Sequence, residues 1–494
     1  MKSSCTLALT LALSAFAGQA ANELNATFGP LYKAAPNLDA SPRQGPRKGL
    51  DSVRRWNQIA IDASGFDHAN AREQLGPGRA SRAMAIVHIA IFDTVNAAVG
   101  GYTSYAGLRA PSGPLSMQAA ISQAAHDTLA ALFPSQAASF DARLAEDLSE
   151  VNNKNAKAVG IALGRQAALA ILVFKANDGS EIPEPRVGEG YITSNLAGHW
   201  RKDPISQIPL ALGAHWGECL PFVLSSGSQF RVPPPPAMNS PQYTAAYNEV
   251  KALGGDGVVT PTLRTPDQTH AGIFWAYDGT PSLCAPPRLY NQIAVHIADQ
   301  MGSSDLELAR LLALINVAMA DAGIAIWESK YFYDFWRPIT GIRESDPGTG
   351  PTGTGDGNAN TAGDPTFSPL GAPASNLTGP NFTPPFPAYP SGHAGFGAAL
   401  FQVLRRFYGT DDIPFTFVSD EFNGVTRDNH GNVRPLIPRS FPSLSAAEEE
   451  NGQSRIYLGI HWSFDKTESI VLGRHVGDYV FDHTFVPLHR TGRQ

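Results

Sequence analysis

The longest helical segment that the sequence predicts runs from Asp305 to Trp336. Ser304 and Glu307 have the spacing of a capping box, in which two side chains satisfy backbone N–H groups at a helix start. The segment ends at Arg337-Pro338, because a proline disfavours helical backbone at the residue before it. A helix of this length extends about 48 Å at about 1.5 Å per residue, so it favours an architecture built from long helices.

Helical periodicity also dominates the rest of the chain. Apolar residues recur at spacings of three and four between Val53 and Phe174, and again after residue 238. Further helical segments are predicted at 79–98, 116–132, 156–173, 240–253, 265–275, 288–301, 393–408, 445–455 and 465–479. Strand alternation is scarce throughout, so the sequence predicts an all-α fold.

Residues 176–238 separate two helical halves. This stretch has few periodic runs and many Pro and Gly residues, and it ends in Pro233–Pro236. With 494 residues and 43% hydrophobic content, the chain is long enough for two domain-sized units. The sequence therefore predicts an N-terminal helical bundle over 21–238, which includes an extended arm, and a C-terminal helical bundle over 239–494, both with long Pro/Gly-rich loops.

Residues 1–20 have the pattern of a secretion signal peptide. Lys2 precedes an apolar run from Leu7 to Phe16, and small residues follow at Ala17–Ala20. The apolar run is short for a membrane span, and no uninterrupted run of transmembrane length is expected after it. The mature protein is therefore expected to be soluble and either secreted or periplasmic, with no membrane insertion after the signal is removed.

Charge and cysteine content narrow the remaining classes of protein. The net charge is −7, which argues against the basic patch that nucleic-acid binding needs. Cys5 would leave with the signal peptide, so Cys219 and Cys284 would remain. In an oxidising compartment these two residues can form one disulfide, and two free buried thiols fit the sequence equally well.

A short polar sequence, Ser391-Gly392-His393, follows a proline-rich approach and starts a helix that ends at Gly409. Ser391 has the chemistry of an N-cap residue. The first N–H groups of a helix lack internal partners and lie at the positive end of the helix dipole, and Gly392 has no side chain to block them. Such a helix start can bind a tetrahedral oxyanion beside a histidine, although most capped helix starts bind only water.

A second group of candidate residues lies near the end of the long predicted helix. Trp327, Lys330, Asp334 and Arg337 are spaced three, four and three residues apart, which places them on one helix face. Two cations beside a helix end, with an indole one turn earlier, could hold an anion. The alternative is a plain surface ion pair between Lys330 and Asp334.

A third group follows near the C-terminus. Arg455 and His461 would lie on different faces of a straight helix, but a turn at Gly459 would bring both toward one point. His461 and Asp465 are four residues apart, so the carboxylate can fix the imidazole tautomer and leave the other ring nitrogen free to attack or to ligate. A structural hydrogen bond between His461 and Asp465 is the alternative.

In chain order, the three groups extend from Lys330 to Arg337-Pro338, from Pro390 to His393, and from Ser454-Arg455 to Asp465. Together they resemble the three-part signature shared by vanadium-dependent haloperoxidases and by acid phosphatases of the type 2 phosphatidic acid phosphatase superfamily. Each part alone is weak, whereas three complete parts in order are a specific signal. The signature covers the last third of the chain.

This resemblance implies a site for vanadate or phosphate, which are both tetrahedral oxyanions. Lys330, Arg337 and Arg455 would neutralise the equatorial oxygens, and the two arginines would offer planar forks of N–H donors. The Ser391 hydroxyl and the Gly392 N–H would complete the oxyanion cradle.

The resemblance also implies roles for two histidines and a carboxylate. His461 would be the axial ligand of vanadium in a haloperoxidase or the nucleophile in a phosphatase, and Asp465 would orient it. His393 would be the acid–base residue on the opposite side, since an unperturbed imidazole has a pKa of about 6.5. Lys330 would also contribute to catalysis by polarising the peroxide.

Features outside the signature resemble the fungal chloroperoxidases more than the phosphatases. A complete helical half precedes the signature, and residues 384–393 are closely similar to those enzymes. Trp327 and Phe386 fall where those enzymes carry an aromatic pair near the halide site. The same enzymes consist of two four-helix bundles, and a carboxylate from an earlier helix supports their second arginine. Asp267 is the candidate for that carboxylate here.

The implied protein is a secreted vanadium-dependent haloperoxidase that uses hydrogen peroxide to oxidise chloride or bromide to hypohalous acid. Its implied cofactor is vanadate, and its implied partners are hydrogen peroxide, a halide ion and a small organic acceptor. The alternative is a secreted acid phosphatase of the same superfamily that forms a phosphohistidine intermediate on His461.

Overall fold

The computed structural model describes residues 23–35 and 51–488, and these residues are predominantly helical. About 51% of the chain is helical, and the strands form two short two-stranded sheets. Residues 23–28 are helical, and the α-helices after residue 51 are α1 (Ser52–Ala69), α2 (Gly76–Val99), α3 (Met117–Leu132), α4 (Ala137–Ser149), α5 (Lys154–Phe174), α6 (Pro241–Leu253), α7 (Pro266–Phe274), α8 (Pro286–Gln300), α9 (Asp305–Tyr333), α10 (Pro338–Arg343), α11 (Gly392–Tyr408), α12 (Leu444–Tyr457) and α13 (Ser463–His483). The predicted all-α class is confirmed, while the predicted signal peptide at 1–20 lies outside the described residues.

The long helix α9 lies at the centre of the molecule. It packs against α2 from the first helical half and against α11 and α13 from the second. Its residues from Leu308 to Trp327 are buried. One hydrophobic cluster contains residues from Val53 to Phe485, so the two halves share a continuous core around α9.

The two ends of α9 have separate causes. The backbone N–H of Ser304 donates to the Glu307 carboxylate at 2.8 Å and the Ser304 hydroxyl accepts from the Glu307 N–H, which confirms the predicted capping box. The helix ends at Tyr333 rather than at Trp336. Asp334 adopts a left-handed backbone conformation (φ 49°, ψ 38°). As a result, Arg337 lies outside α9, at the N-cap of α10.

The start of α12 also differs from the prediction. Ser443, rather than Ser445, is the N-cap, and its hydroxyl accepts a backbone N–H of the first turn at 3.2 Å. The Ser445 hydroxyl donates instead to Asp411 at 2.8 Å. Glu448, which has capping-box spacing from Ser445, pairs instead with Arg405 at 3.0 Å.

The helices that carry the C-terminal signature pack very closely. At the contact of α11 with α13, a Cβ atom on Gly473 would collide with the Gly395 carbonyl, so only glycine permits this approach. The long loop between α10 and α11 contains strand β2 (Leu377–Thr378). This strand pairs antiparallel with β1 (Lys33–Ala34), which fixes the N-terminal arm against the loop. Strands β3 (Phe415–Phe417) and β4 (Arg439–Phe441) form the second sheet.

Three helices, α2, α5 and α9, are long and apolar enough to cross a membrane by length and composition alone. The sequence prediction concerned uninterrupted apolar runs, and each of these helices is interrupted by charged residues, such as Arg165 in α5. The three helices therefore do not contradict that prediction. The apolar window of α9 is entirely buried in the protein core, while α5 exposes Leu169, Val173 and Phe174.

Both remaining cysteines are free and buried, so the alternative of two buried thiols describes the structure. Cys219 belongs to the main hydrophobic cluster. Cys284 lies in a small separate cluster, with its Sγ 2.8 Å from the Ser64 hydroxyl. Burial raises the pKa of the Cys284 thiol to about 11, which keeps it protonated at neutral pH.

Candidate active site

A funnel-shaped cavity of about 680 Å³, including its open mouth, leads to the C-terminal signature residues. Gly392, His393, Arg455, His461 and Asp278 line its base. The start of α11, the end of α12 and the turn that precedes α13 supply four of these five residues. Two of the three groups of candidate residues therefore meet here, and Trp327 of the remaining group also lines the cavity.

Ser391 occupies the N-cap position of α11 without capping the helix. Its backbone is extended (φ −74°, ψ 125°), but its hydroxyl makes no capping hydrogen bond. The backbone instead fixes the residue, because its N–H donates to the Asp465 carbonyl at 3.0 Å and its carbonyl accepts from the Ser469 hydroxyl at 2.5 Å. The Ser391 hydroxyl is buried and has no partner among the described residues.

Lys330 is entirely buried and points toward the proline-rich approach to α11. Its Nζ donates to the carbonyls of Pro387 at 2.8 Å and Ala388 at 2.9 Å. Asp334 does not pair with Lys330, since its carboxylate lies 2.9 Å from His199 Nδ1. The alternative of a surface ion pair between Lys330 and Asp334 is therefore wrong.

Arg337 connects this approach to the third group of residues. Its Nε donates to the Phe386 carbonyl at 2.9 Å, and its Nη1 lies 2.9 Å from both the Ile460 carbonyl and His461 Nε2. Its Nη2 is buried and has no partner among the described residues. Burial, the largest effect, lowers the pKa of Arg337 to about 9.

Arg455 pairs with Asp278, not with the predicted Asp267. Its Nη2 donates to Asp278 Oδ1 at 2.6 Å, while its Nε and Nη1 are buried without a partner among the described residues. Asp267 is exposed at the start of α7 and binds Arg439 at 2.8 Å, so the prediction for Asp267 is wrong. Asp278 lies in the loop after α7, where the sequence shows only an Asp-Gly turn and no helical period that would indicate its partner.

The predicted turn at Gly459 is present and brings His461 to the cavity that Arg455 also lines. Gly459 has a positive φ of 73°, a conformation that favours glycine. His461 Nδ1 lies 2.7 Å from Asp465 Oδ2, which also accepts the Trp462 N–H at 3.0 Å. This carboxylate fixes the orientation of the imidazole and leaves Nε2 on the side of Arg337.

His393 lies in the first turn of α11, beside Arg455. Its Nε2 makes a short hydrogen bond with the Ala276 carbonyl and lies 4.0 Å from Asp278 Oδ1. Burial first, and then the charge of Arg455, lower the pKa of His393 well below its usual value. The imidazole is therefore neutral at neutral pH and able to accept a proton.

Positive charge exceeds negative charge at the base of the funnel. Lys330, Arg337 and Arg455 are buried there with two carboxylates, Asp278 and Asp465. Burial lowers the pKa of Lys330 well below its usual value, with a smaller effect from Arg337. Burial also raises the pKa of the Asp465 carboxyl to about 7. An anion placed among these cations would oppose the shift of Lys330 and satisfy the buried donors.

The unpartnered donors match the chemistry of a tetrahedral oxyanion. Two guanidinium groups and one hydroxyl each present at least one buried donor that lacks an acceptor among the described residues. Buried donors of this kind ordinarily have partners, so their concentration at one place indicates a ligand. Planar guanidinium forks suit the oxygens of vanadate or phosphate, and His461 Nε2 lies among the same groups.

An aromatic pair adjoins the oxyanion donors. The rings of Trp327 and Phe386 have their centroids 4.9 Å apart. Lys330 Nζ lies 5.1 Å from the Phe386 ring centroid and 5.6 Å from that of Trp327. The structure therefore brings together the two aromatic residues predicted for a halide site and places both beside a buried cation.

Several known proteins are similar to this chain. The family model for the VCPO second helical-bundle domain matches residues 310–489. Vanadium chloroperoxidase from Curvularia inaequalis is 31% identical over 83% of this chain and 78% of that protein. The first bacterial vanadium-dependent iodoperoxidase has a crystal structure with a TM-score of 0.71 at 24% identity, covering 90% of this chain and all of that one. An apo-type bacterial vanadium-dependent chloroperoxidase shares the fold, with a TM-score of 0.60 at 16% identity over 84% of this chain and 96% of that one.

Proposed function

The chain belongs to the vanadium haloperoxidase family, and from that premise we propose that it binds vanadate at the base of the funnel. With this cofactor it uses hydrogen peroxide to oxidise chloride or bromide to hypohalous acid. The observation that carries the proposal is the set of unpartnered donors on Arg337, Arg455 and Ser391, buried beside His461. These donors need an anionic ligand, and the family's oxyanion has the matching charge and shape.

In this proposal the protein supplies the cradle for the oxyanion. Arg337, Arg455 and Lys330 balance its negative charge, and the Ser391 hydroxyl and the Gly392 N–H donate to its oxygens. When bound, vanadate supplies a Lewis-acidic centre that activates peroxide without a change in oxidation state. Because the cradle is rigid and buried, its donors act in a medium of low dielectric constant, where each is stronger than in water.

The two histidines have complementary tasks. His461 Nε2 would hold the metal, and Asp465 would keep the His461 Nδ1 protonated and the imidazole ring oriented. With the Nε2 hydrogen of His393 donated to the Ala276 carbonyl, its Nδ1 accepts the proton that hydrogen peroxide loses. Trp327 and Phe386 exclude water on the halide side, which makes the halide more nucleophilic because it is less hydrated.

The same donors would also hold phosphate, so a second function has a structural basis. In a secreted acid phosphatase, His461 Nε2 would attack phosphorus and form a phosphohistidine, with His393 as the acid. The orientation of His461 by Asp465 serves that reaction equally well. The family relationship favours the haloperoxidase.

An assay of the purified protein, freed of bound oxyanions, distinguishes these two functions. We expect bromination of a phenolic dye that requires peroxide and bromide and appears only when vanadate is added. Phosphatase activity that vanadate inhibits, without halogenation, would contradict the proposal. The same assay with chloride and with bromide identifies the halide.

Substitution of the two histidines tests their separate roles. We expect His461→Ala to abolish vanadate retention, because the imidazole that would hold the metal is lost. We expect His393→Ala to retain vanadate and to lose turnover by at least about a hundredfold, since general acid–base catalysis contributes factors of this size. Vanadate binding is measured by equilibrium dialysis, with His475→Ala as the control because His475 is exposed. Tight vanadate binding by His461→Ala would refute the ligand assignment.

We also propose that residues 1–20 direct export, so that the mature enzyme acts outside the cytoplasm or in the periplasm. The support is the sequence pattern of a charged start, an apolar run and small residues. N-terminal sequencing of exported protein tests this proposal. A mature chain that begins after Ala20 is expected, and an unprocessed chain retained inside the cell would contradict it.

A further inference from the structure

Most of the side chains that line the funnel are unreactive toward an electrophilic halogen. Among the described residues of its lining, none is a cysteine or a methionine, and most are aliphatic, proline, glycine or phenylalanine residues. Sulfur-containing side chains are the ones that oxidants readily attack. Apart from the two histidines of the site, the electron-rich rings in the lining are those of Tyr277 and Trp327. These two rings are therefore the points at which hypohalous acid would damage the protein.

Tyr277 is protected by burial and by hydrogen bonds. Its ring is fully buried, and its hydroxyl donates to Gln292 Oε1 at 3.2 Å and accepts the Asp420 N–H at 2.6 Å. Burial, the largest effect, raises the pKa of Tyr277 well above its usual value. The group is therefore a phenol at neutral pH, and a phenol reacts with halogen electrophiles far more slowly than its phenolate does.

The two rings of the Trp327 indole have different surroundings. The six-membered ring faces the oxyanion cradle, where a Cβ atom on Gly392 would lie 3.3 Å from Cη2. The pyrrole ring faces Leu212 and Gly213, because Nε1 donates to the Leu212 carbonyl at 3.0 Å. A Cβ atom on Gly213 would lie 2.2 Å from Nε1 and 2.3 Å from Cδ1, so glycine alone fits against this ring. Electrophiles add to the pyrrole ring of an indole, which is the part that these two residues contact.

Three further hydrogen bonds hold the Leu212–Gly213 segment in place. The Leu212 N–H donates to the Pro385 carbonyl at 2.9 Å, and the Leu212 carbonyl also accepts from the Tyr331 hydroxyl at 3.0 Å. The Gly213 N–H donates to the Glu184 carboxylate. The segment is therefore anchored to the proline-rich approach, to α9 and to the loop after α5.

A second space beside the indole is too small for hypohalous acid. This narrow cleft is lined by Arg79, Trp216, Gly213 and Trp327, and it encloses about 10 Å³. A water molecule needs about 10 to 15 Å³, so hypohalous acid, which is larger than water, does not fit. The Leu212 side chain lines both the cleft and the funnel, so it forms part of the partition between them.

We propose that the Leu212–Gly213 segment shields Trp327 from the hypohalous acid that the enzyme generates, and that this shield prolongs the working life of the enzyme. The inference rests on the proposed haloperoxidase function. Without the shield, bromine from HOBr would add to Cγ with the ring electrons while the O–Br bond breaks. Water would then add to Cδ1, and bromide and a proton would leave. The balance is indole + HOBr → oxindole + Br⁻ + H⁺, so the ring is oxidised and gains one oxygen atom while bromine is reduced to bromide.

The experiment compares the vanadate-loaded full-length protein with its Gly213→Ala variant during turnover of bromide and peroxide. Mass spectrometry of proteolytic peptides measures the gain of oxygen at Trp327 and, as an internal reference, at Met301, which is exposed. We expect Trp327 of the unmodified protein to stay intact while Met301 is oxidised. Gly213→Ala should oxidise Trp327 at least about tenfold faster, because the susceptibility of a side chain follows its exposure. Equal rates at Trp327 in the two proteins would overturn the proposal.

A double variant separates loss of the shield from distortion of the site. Gly213→Ala should lose activity after fewer turnovers than the unmodified protein. Addition of Trp327→Phe to this variant should restore the number of turnovers, because the ring that is oxidised has been removed. A short working life that Trp327→Phe does not restore would overturn the proposal, since the damage would then lie elsewhere.

Leu212→Ala tests the shield if Gly213→Ala does not fold. It opens the partition between the funnel and the cleft and keeps the carbonyl that binds Nε1, so it is expected to act in the same direction. Leu220→Ala is the matched control, because Leu220 is exposed, and it should leave Trp327 intact. Intact Trp327 in Leu212→Ala, under conditions that oxidise Met301, would overturn the proposal.

Added hypobromite, without bromide or peroxide, distinguishes failure of the shield from failure of the proposed function. Oxidation of Trp327 by this reagent in Gly213→Ala, but not in the unmodified protein, would support the shield independently of catalysis. Oxidation of Trp327 as fast as that of Met301 in the folded, unmodified protein would overturn it. Absence of halide oxidation by the vanadate-loaded protein would instead refute the proposed function.

Discussion

Two arginine clusters in this molecule contain the same types of residue but differ in how many acceptors pair with the guanidinium donors. Arg439 donates to Asp267 at 2.8 Å and to Glu450 at 2.7 Å, and its Nη1 lies 3.1 Å from His270 Nδ1. At the funnel base, Arg455 pairs with one carboxylate among the described residues, Asp278. Each cluster contains arginine, histidine and carboxylates, so composition does not distinguish them.

The difference lies in the acceptors available to each guanidinium group. Although burial lowers it, the pKa of Arg439 is raised overall by its hydrogen bonds with Asp267 and Glu450. Burial lowers the pKa of Arg337 at the funnel base, and no carboxylate among the described residues hydrogen-bonds to this arginine to compensate. A cluster whose donors are paired is structural, whereas a buried cluster with spare donors is complete only with an anion.

Removal of one arginine from each cluster should give the largest contrast. We expect Arg455→Ala to weaken vanadate binding by at least about a hundredfold, since it removes the Nε and Nη1 donors, as loss of an oxyanion-hole donor does elsewhere. Arg439→Ala should change vanadate binding by less than about threefold, because its partners Asp267, His270 and Glu450 are not among the oxyanion donors. Equilibrium dialysis with vanadate measures both, and circular dichroism verifies the fold. Equal losses of vanadate affinity in the two variants would contradict the distinction between the two clusters.

The two serines at helix starts give a smaller contrast of the same kind. Ser304 caps α9 with its hydroxyl, while the Ser391 hydroxyl at the start of α11 has no partner among the described residues. Ser304→Ala should lower the free energy of unfolding by about 1 kcal/mol and leave vanadate affinity unchanged. Ser391→Ala should reduce vanadate affinity about tenfold, through loss of one charge-assisted hydrogen bond, with little change in stability. Urea denaturation measures the stability of the variants, and equilibrium dialysis measures their vanadate affinity. Loss of vanadate affinity in Ser304→Ala but not in Ser391→Ala would contradict the assignment.

Two histidines extend the comparison to the pH dependence of stability, where we expect the smallest of these effects. His126 hydrogen-bonds Asp127, which is the main reason that its pKa is raised, whereas that of His393 is lowered. A raised pKa in the folded state stabilises the protein below about pH 6.5, and the benefit is lost as pH rises through the folded pKa.

His126→Gln should therefore flatten the pH dependence of stability. The expected change is less than about 1 kcal/mol, because Asp127 and Asp141 are partly exposed and solvent screens the pair. Urea denaturation at about pH 5.5 and about pH 8.5 measures it. A variant that keeps the full difference between the two pH values would show that His126 is not its source.

The helices could be predicted from the sequence because local patterns encode them. Ser304 and Glu307 form their capping box because the two partners are three residues apart. Lys330 and His461 could be identified because their stretches form parts of one ordered signature.

The remaining features depend on contacts between distant segments. Asp278 reaches Arg455 across 177 residues, and no local period indicates this pairing. The end of α9 at Tyr333 depends on the left-handed backbone of Asp334, whose carboxylate binds His199. The contact of Phe28 in the arm with Phe382, both of which line the funnel, requires the pairing of β1 with β2. Sequence patterns identify such residues only after the fold has brought them together.

A vanadate titration of the unmodified protein tests the central claim that the spare donors at the funnel base form an oxyanion site. By equilibrium dialysis, we predict saturable binding of one vanadate per chain, displacement by excess phosphate, and halide oxidation in proportion to the occupied fraction. Absence of a saturable site, or full halide oxidation by vanadate-free protein, would contradict the account.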